Sequence, residues 1–599
     1  MIGGNDIYII YFIFYHFVGG HILKTITPLS YVNQAMNDFE RYFIEKIKDG
    51  KIAKIDINDK SRYILFLSIG NPHIRARVFK VVTSDFAKGV SQLRQKVIQL
   101  VQKAHVDPYW IKMDVVNKIV AHSFEELELN ISKTRKNYFR SGIAFDSDFH
   151  LAFLEQEING NAMIKNKRGE PLQLDEENIN QYVKRNFKNR SVFTKKRYYH
   201  QPVYTFNTVS VFKEVENPQL LELYTGELTN GIRKINHILE ATVELIKKST
   251  YFLMNQIQES GQFHYGYFAA FGKRIGTYNI LRHSSSLYSM LEGYEVLKDE
   301  QIIHAVEKGM DYLIREAIVY QEQHSEEIAY VVDYANHQEI KLGSNATAIL
   351  AMTKYMEVTN SHKYLDIAQA LARGILKMKT PSGGFIHVLS YPSFEIKDIH
   401  RIIYYEGEAI LSLLRLYKVD KKNLWLYEVK QTFDYFVAHD YWKYHDHWLS
   451  YATNELILYA PEDRYFIFGL KNCNDRLSFI YHRETTYPTF LELTMAAYKM
   501  IDQIKKLNRE YLLQYIDEPL LEKTIDKRAE YQRVGFFYPE LAMYTKNPGL
   551  IVGAFFIRHH SFRVRIDDVE HYLSGYCQYL QYRIPKMNDS SSTDDKAVL

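Results

Sequence analysis

The sequence predicts a mainly α chain: an (α/α)6 toroid, six inner helices ringed by six outer ones, preceded by a small α+β domain. Three observations carry this. Helical apolar periodicity takes over from about residue 225. Six polar openings recur in that part, each leading into an apolar helix body. Between them lie helices that are apolar on one face only, as a surface layer requires.

The openings are Arg282-His283-Ser284, Gly343-Ser344-Asn345, Glu406-Gly407-Glu408, His445-Asp446-His447, Thr485-Thr486-Tyr487-Pro488 and Arg565-Ile566-Asp567-Asp568. The intervening helices are expected at 235–254, 301–318, 364–379, 424–438, 463–480 and 508–531. Helices that alternate inner and outer place every inner N-terminus at one end of the ring. The six openings then converge, and their dipoles favour negative charge there.

Upstream the pattern is mixed. Segments 63–68 and 76–82 read as strands joined through Gly70-Asn71-Pro72, 86–104 as an amphipathic helix, 110–116 as a strand and 148–163 as a second helix. The expected division is an apolar extension at 1–36, an α+β module at 37–195, a polar and basic linker around 160–200, the toroid at 225–585, and a disordered polar tail at 587–599. The run 7–19 falls short of the roughly 20 residues a membrane helix needs. Asp6 precedes it and no small-residue cleavage pattern follows, so no export is expected. It reads as a weak anchor or as an extension ahead of a working start at Met36.

Composition sets further bounds. A chain of 599 residues is too long for one small core. Its net charge of +4, with no Lys/Arg stripe, argues against a nucleic-acid partner. Two cysteines, Cys473 and Cys577, exclude a disulfide framework and a Cys-based zinc cluster. A cytoplasmic location is the expectation. The sequence contains no nucleotide loop or trusted metal spacing, so no cofactor and no metal are expected. The 48 tyrosines fit either sugar-stacking surfaces or compositional drift.

The run KLGSNATAILAMTKYMEVTNSHKYLDIAQALARGILKMKTPSGGF (341–385), with YYEGEAILSLLRLY (404–417), resembles the six-hairpin glycosidase-like and related α/α-toroid enzymes. The resemblance covers about 225–585 and implies a carbohydrate-active enzyme with a saccharide substrate. Such toroids host hydrolases, lyases, epimerases and terpenoid cyclases, and fold alone does not choose among them. The cyclase motif D-x-D-D is absent from the chain.

Candidate chemistry sits at the openings. Glu406 and Glu408 are the first carboxylates, two positions apart and therefore pointing in different directions; the plainer reading is dipole compensation. Asp446 and His447, beside Trp448, read as an acid–base pair next to a sugar platform, or as an N-cap aspartate with an ordinary histidine. Asp567 and His571 share a helix face, with Arg563 and Arg565 upstream suited to an acidic sugar, or forming a salt-bridged helix start. Arg282, His283, Asn345 and Tyr405 complete the binding candidates. Hydrolysis, expected narrowly first, needs two carboxyls across the scissile bond. Epimerisation or elimination needs a base, an acid and a stabiliser of an enolate-like intermediate, which the histidines and arginines supply. A non-catalytic carbohydrate-binding scaffold is the third expectation.

Overall fold

The computed structural model describes residues 27–587, apart from 105–106, 167–168, 187–191, 227 and 324–325. The apolar run at 7–19 and residues 588–599 of the tail lie outside the described residues. No described helix is long and apolar enough to cross a membrane.

The N-terminal region is built on an antiparallel sheet. Lys60–Gly70 pairs with Arg77–Thr83 on one side and Trp110–His122 on the other. Val203–Glu214 follows next to Trp110–His122 and carries Gly142–Ala144 on its far edge. Strand residues alternate between faces. Leu65, Leu67, Met113 and Val115 therefore meet the helices Pro28–Lys48 and Phe86–Ala104 through Met36, Phe39, Val90 and Leu93. The opposite face, with Ile64, Phe66 and Phe212, packs on Met543 and Tyr544 of the toroid. The sheet is thus held between its own helices and the second region.

Several boundaries differ from the sequence reading. The first helix starts at Pro28 and buries Met36, so a division at 36 would cut through it. In place of a helix over 148–163 the chain forms a short strand, Ala152–Phe153, and a short helix, Glu155–Gly160. The stretch read as a linker folds into helix Glu176–Asn186, whose Ile179, Tyr182 and Val183 join a core with Phe193 and Tyr198. Widely spaced apolar residues among many charges hid that period. The central strand Val203–Glu214 extends the sheet past residue 195.

The toroid is closed. Its inner helices are Ile280–Leu297, Leu342–Thr359, Tyr404–Asp420, His447–Leu456, Thr489–Lys506 and Ile566–Gln578. Each packs on the next, and the sixth packs back on the first. The outer helices are Ile238–Gln256, Glu300–Ala317, Leu365–Lys377, Asn423–Ala438, Asp463–Asn474 and Glu518–Gln532. The second inner helix is buried from Leu342 to Met356 on every side, whereas Glu300–Ala317 buries one stripe, Ile302, Ile303, Val306, Met310 and Leu313. The expected outer helix at 463–480 breaks in two at Asn474, and that at 508–531 begins only at Glu518, capped by Asp517 with Pro519 in its first turn.

Inner helices pass to outer ones through tight reversals. Lys298, Asn360 and Lys421 end the first three in left-handed conformation, with φ of 53°, 53° and 55°. The long connections all lead into inner N-termini. One of them carries the five-stranded sheet Ile318–Gln323, Glu326–Asp333, Glu339–Lys341, Val388–Ser390 and Ile396–Asp398 together with a later connection. Loop material is therefore concentrated at the end where the polar openings meet.

Candidate active site

The openings do converge. Gly407 lets the third and fourth inner helices touch, since a Cβ there would lie 2.5 Å from Leu449 N and 2.7 Å from Asp446 Oδ2. Gly343 likewise makes room for Glu408, whose Oε2 would sit 2.1 Å from an added Cβ. Arg282, from the first inner helix, reaches the sixth: its Nε lies 2.7 Å from Asp567 Oδ1, and its Nη1 lies 3.5 Å from both Glu570 Oε1 and His571 Nε2. Glu492, from the fifth, stands 3.1 Å from His571 Nδ1 and 3.8 Å from His447 Nε2. The rings of His447 and His571 are 5.2 Å apart between centroids, nearly perpendicular. Trp448 and Tyr404 wall this group at 5.3 and 5.5 Å from His447.

Burial sets the electrostatics. It pushes the Glu408 carboxyl up to about 8, aided by Asp446, Asp567 and Glu406 and opposed by Arg282. Glu492 rises to about 7 for the same main reason, and Glu570 is raised well above the carboxylate range. Asp567 goes the other way. Burial would raise it, but the guanidinium groups of Arg282 and Arg565 hold it below its ordinary value. Burial lowers His571 to about 4. A guanidinium can only donate, so His571 Nε2, which faces Arg282, is the lone-pair nitrogen. Its Nδ1 then carries the proton and lies 3.1 Å from Glu492 Oε2, a contact without the alignment of a hydrogen bond. Buried Oε2 atoms of Glu406, Glu408 and Glu492 have no hydrogen-bond partner. Arg282 keeps 21% of its side chain accessible and His571 10%, against 2% for His447 and Glu492.

The other predicted residues have different places. Asp446 is the N-cap of the fourth inner helix, accepting from Trp448 N at 3.1 Å and Leu449 N at 3.0 Å. Both its oxygens are used, so it is not a free acid. His283 points outward, its Nε2 donating to Gly309 O at 2.9 Å and its Nδ1 accepting from the Tyr278 hydroxyl at 2.7 Å. Asn345 pins the inserted sheet, accepting from Val331 N at 2.8 Å. Arg565 is held by Asp567 and Asp568 at 2.9 and 2.8 Å. Tyr405 is buried against His387. Glu406 diverges from Glu408, with Oε1 2.8 Å from His387 Nε2 and 3.6 Å from the exposed His400. Sequence reasoning missed Glu492, Glu570 and His387. Glutamates inside otherwise apolar inner-helix bodies were the available signal for the first two; His387 carried none.

Among the described residues three sets bring metal-ligand atoms together: His387/His400/Glu406, His447/Glu492/His571 and Asp567/Glu570/His571. In the first, His387 Nδ1 accepts from the N–H groups of Arg401 and Ile402, which places its proton on Nε2 and leaves no lone pair toward Glu406. In the other two the Arg282 guanidinium beside His571 repels a dication. A cavity of about 270 Å³, lined by Asp502, Lys505, Glu518, Arg583 and Lys586, lies at the far end of the ring from this chemistry. Its charges pair with one another.

No protein-family model matches the chain. No curated protein matches it either. Among solved structures the chain is similar to a D-mannose isomerase, at 11% identity and a TM-score of 0.42, over 58% of this chain and 97% of that one. It is similar to a cellobiose 2-epimerase from Bacillus thermoamylovorans at 12% identity and a TM-score of 0.42, over 57% and 99%. A GH76 α-mannanase from Bacteroides thetaiotaomicron gives 12% and 0.42, over 58% and 97%. The six-hairpin architecture itself is given by the closed ring of inner helices and the outer helix that pairs with each.

Proposed function

We propose that this chain is a carbohydrate-active enzyme that moves a proton on a sugar, as an epimerase or isomerase. The observation that carries the reading is the pair His447 and His571, facing each other across Glu492 beside Arg282. A sugar carbonyl that draws Arg282 Nη1 from its 3.5 Å contact with His571 Nε2 frees that lone pair to take a proton from the carbon next to the carbonyl. Arg282 stabilises the enolate oxygen that forms, and His447 returns a proton. Asp446 and Asp567, either of which could pair with Glu406 or Glu408 across a scissile bond, are a cap and a clamped ion-pair member, which weakens the two-carboxylate reading. The saccharide class comes from the sequence resemblance over 341–385.

Hydrolysis keeps one supporting observation: Glu408 is protonated at neutral pH and has a free oxygen, as a general acid requires. Near-complete burial of most of the ring supports the scaffold reading. One experiment separates them. The purified chain is incubated in D2O with neutral and uronic-acid mono- and disaccharides and followed by NMR. Solvent deuterium at a carbon next to the carbonyl, reduced about 10²–10⁴-fold in His447→Asn and His571→Asn at unchanged Tm, is the expected result. New reducing ends without exchange, lost in Glu408→Gln, would establish hydrolysis instead. Binding without any turnover would leave the scaffold.

A further inference from the structure

Three chain segments meet beside the sixth opening. Asn137 Nδ2 donates to Arg558 O at 2.7 Å, the Tyr138 hydroxyl accepts from Thr486 N at 3.0 Å, and Arg558 N donates to Thr486 Oγ1 at 3.2 Å. These bonds tie a loop of the α+β region to the connections that enter the fifth and sixth inner helices. Each segment brings cations: Arg135 and Lys136 from the loop, Arg483 from the fifth connection, Arg563 with His559 and His560 from the sixth.

The next cation along, Arg565, is neutralised by Asp567 and Asp568. Arg135, Lys136, Arg483 and Arg563 form no ion pair among the described residues. Arg483 spends Nε on Thr485 Oγ1 at 2.7 Å, and Arg563 Nη2 approaches His560 Nδ1 at 3.5 Å. Arg563 Nε and His559 Nδ1 are buried with no hydrogen-bond partner. Burial, then the neighbouring His560, Arg135 and Arg483, lowers His559 to about 4, so it stays neutral at physiological pH. Arg563 shares the charge of Asp567 and Asp568 with Arg565, while Arg135, Lys136 and Arg483 have no ion-pair partner among the described residues. This excess of like charge repels, and an anion supplied from outside relieves that cost. Arginine forks suit a planar carboxylate.

We propose that this strip is an anion subsite for the carboxylates of an acidic saccharide, and that Arg135 and Lys136 are the α+β region's contribution to it. The proposal rests on the saccharide reading above. The strip runs through Arg563–Arg565 straight into the start of the sixth inner helix, where Asp567 meets Arg282. Four cations on a chain of net charge +4 make a short local patch, unlike the long basic track a nucleic acid needs. A substrate chain laid on it would lead a sugar toward His571.

The test is calorimetric titration of the full chain with trigalacturonate, maltotriose, inorganic sulfate and a short single-stranded oligonucleotide, at low and high salt. The acidic trisaccharide is expected to bind best. Arg135→Ser/Lys136→Ser, and separately Arg563→Gln, should weaken it about tenfold or more at low salt, leaving Tm and maltotriose binding unchanged. Variants that bind like the parent, equal affinity for maltotriose, no binding of trigalacturonate, or sulfate binding as tightly would each overturn the proposal. Tighter binding of the oligonucleotide would overturn it in favour of nucleic acid. Proton exchange on neutral sugars, together with trigalacturonate binding that ignores the strip variants, sinks this inference alone. Trigalacturonate binding without exchange on any sugar sinks the enzymatic reading alone.

Discussion

Asp114, inside the sheet of the α+β region, accepts through one oxygen from Lys112 at 2.6 Å, Thr208 at 3.0 Å and Ser210 at 2.6 Å. Nearby Glu155 accepts through both oxygens, from Asn159 at 2.7 Å and from Gln156 at 2.9 Å. Asp114 Oδ2 is buried without a partner, and so are Glu408 Oε2 and Glu492 Oε2 at the mouth of the toroid. Asp114 has three donors on its other oxygen, whereas among the described residues no side chain donates to Glu408. Both clusters are buried and charged. In the first, Lys112 and short polar side chains give the carboxylates directed hydrogen bonds within the α+β region. In the second, one guanidinium is shared among several acids, and protons must stay on some of them. A carboxylate met by several local donors serves the structure, whereas one left with few donors, its proton retained by burial, is where a ligand or a proton can still act.

The largest effect is expected at Asp114. Asp114→Ala leaves Lys112 buried and unpaired, and should cost about 3–5 kcal/mol in urea unfolding. Proton exchange per folded molecule should not change. A loss under about 1 kcal/mol, or a lost exchange activity in folded protein, would put the two clusters in one class.

In the toroid cluster the test is Glu408→Gln. Its carboxyl stands near 8 in the folded chain and near the ordinary carboxylate value, about 4.3, when unfolded. The folded state therefore holds a proton that the unfolded state releases across that window. The stability this group contributes is complete below the unfolded value and is lost as pH rises toward and past 8. Urea midpoints measured at about pH 5, 7 and 9 should show the parent losing ground against Glu408→Gln as pH rises. A pH-independent difference would mean that Glu408 is ionised in the folded chain.

The smallest effect is expected at Asp446. Removing an N-cap that serves two backbone N–H groups should cost about 0.5–2 kcal/mol, and Asp446→Asn should recover most of it. Exchange activity should survive in both variants. Loss of activity in Asp446→Asn at full stability would return this residue to the chemistry.

Much of the architecture was legible because it is local. The apolar period of Leu342–Thr359 and the polar start of Ile566–Gln578 are written within each segment, and twelve such segments specify a ring of hairpins. The segments that escaped, helix Glu176–Asn186 and strand Val203–Glu214, owe their burial to partners distant in sequence. The site divides in the same way. The sequence determined by itself that polar residues stand at six inner-helix starts. Only the tertiary structure decided which of them face inward. Each residue along a helix turns its side chain by about 100°, so neighbours in sequence look at different surroundings. His283 turns out to Gly309 while the adjacent Arg282 turns in to Asp567. Glu492 becomes part of the site only because His447 and His571 arrive from two other helices. Periodicity fixes a helix and its buried stripe, but the field that sets a proton's place is made by groups that only packing brings together.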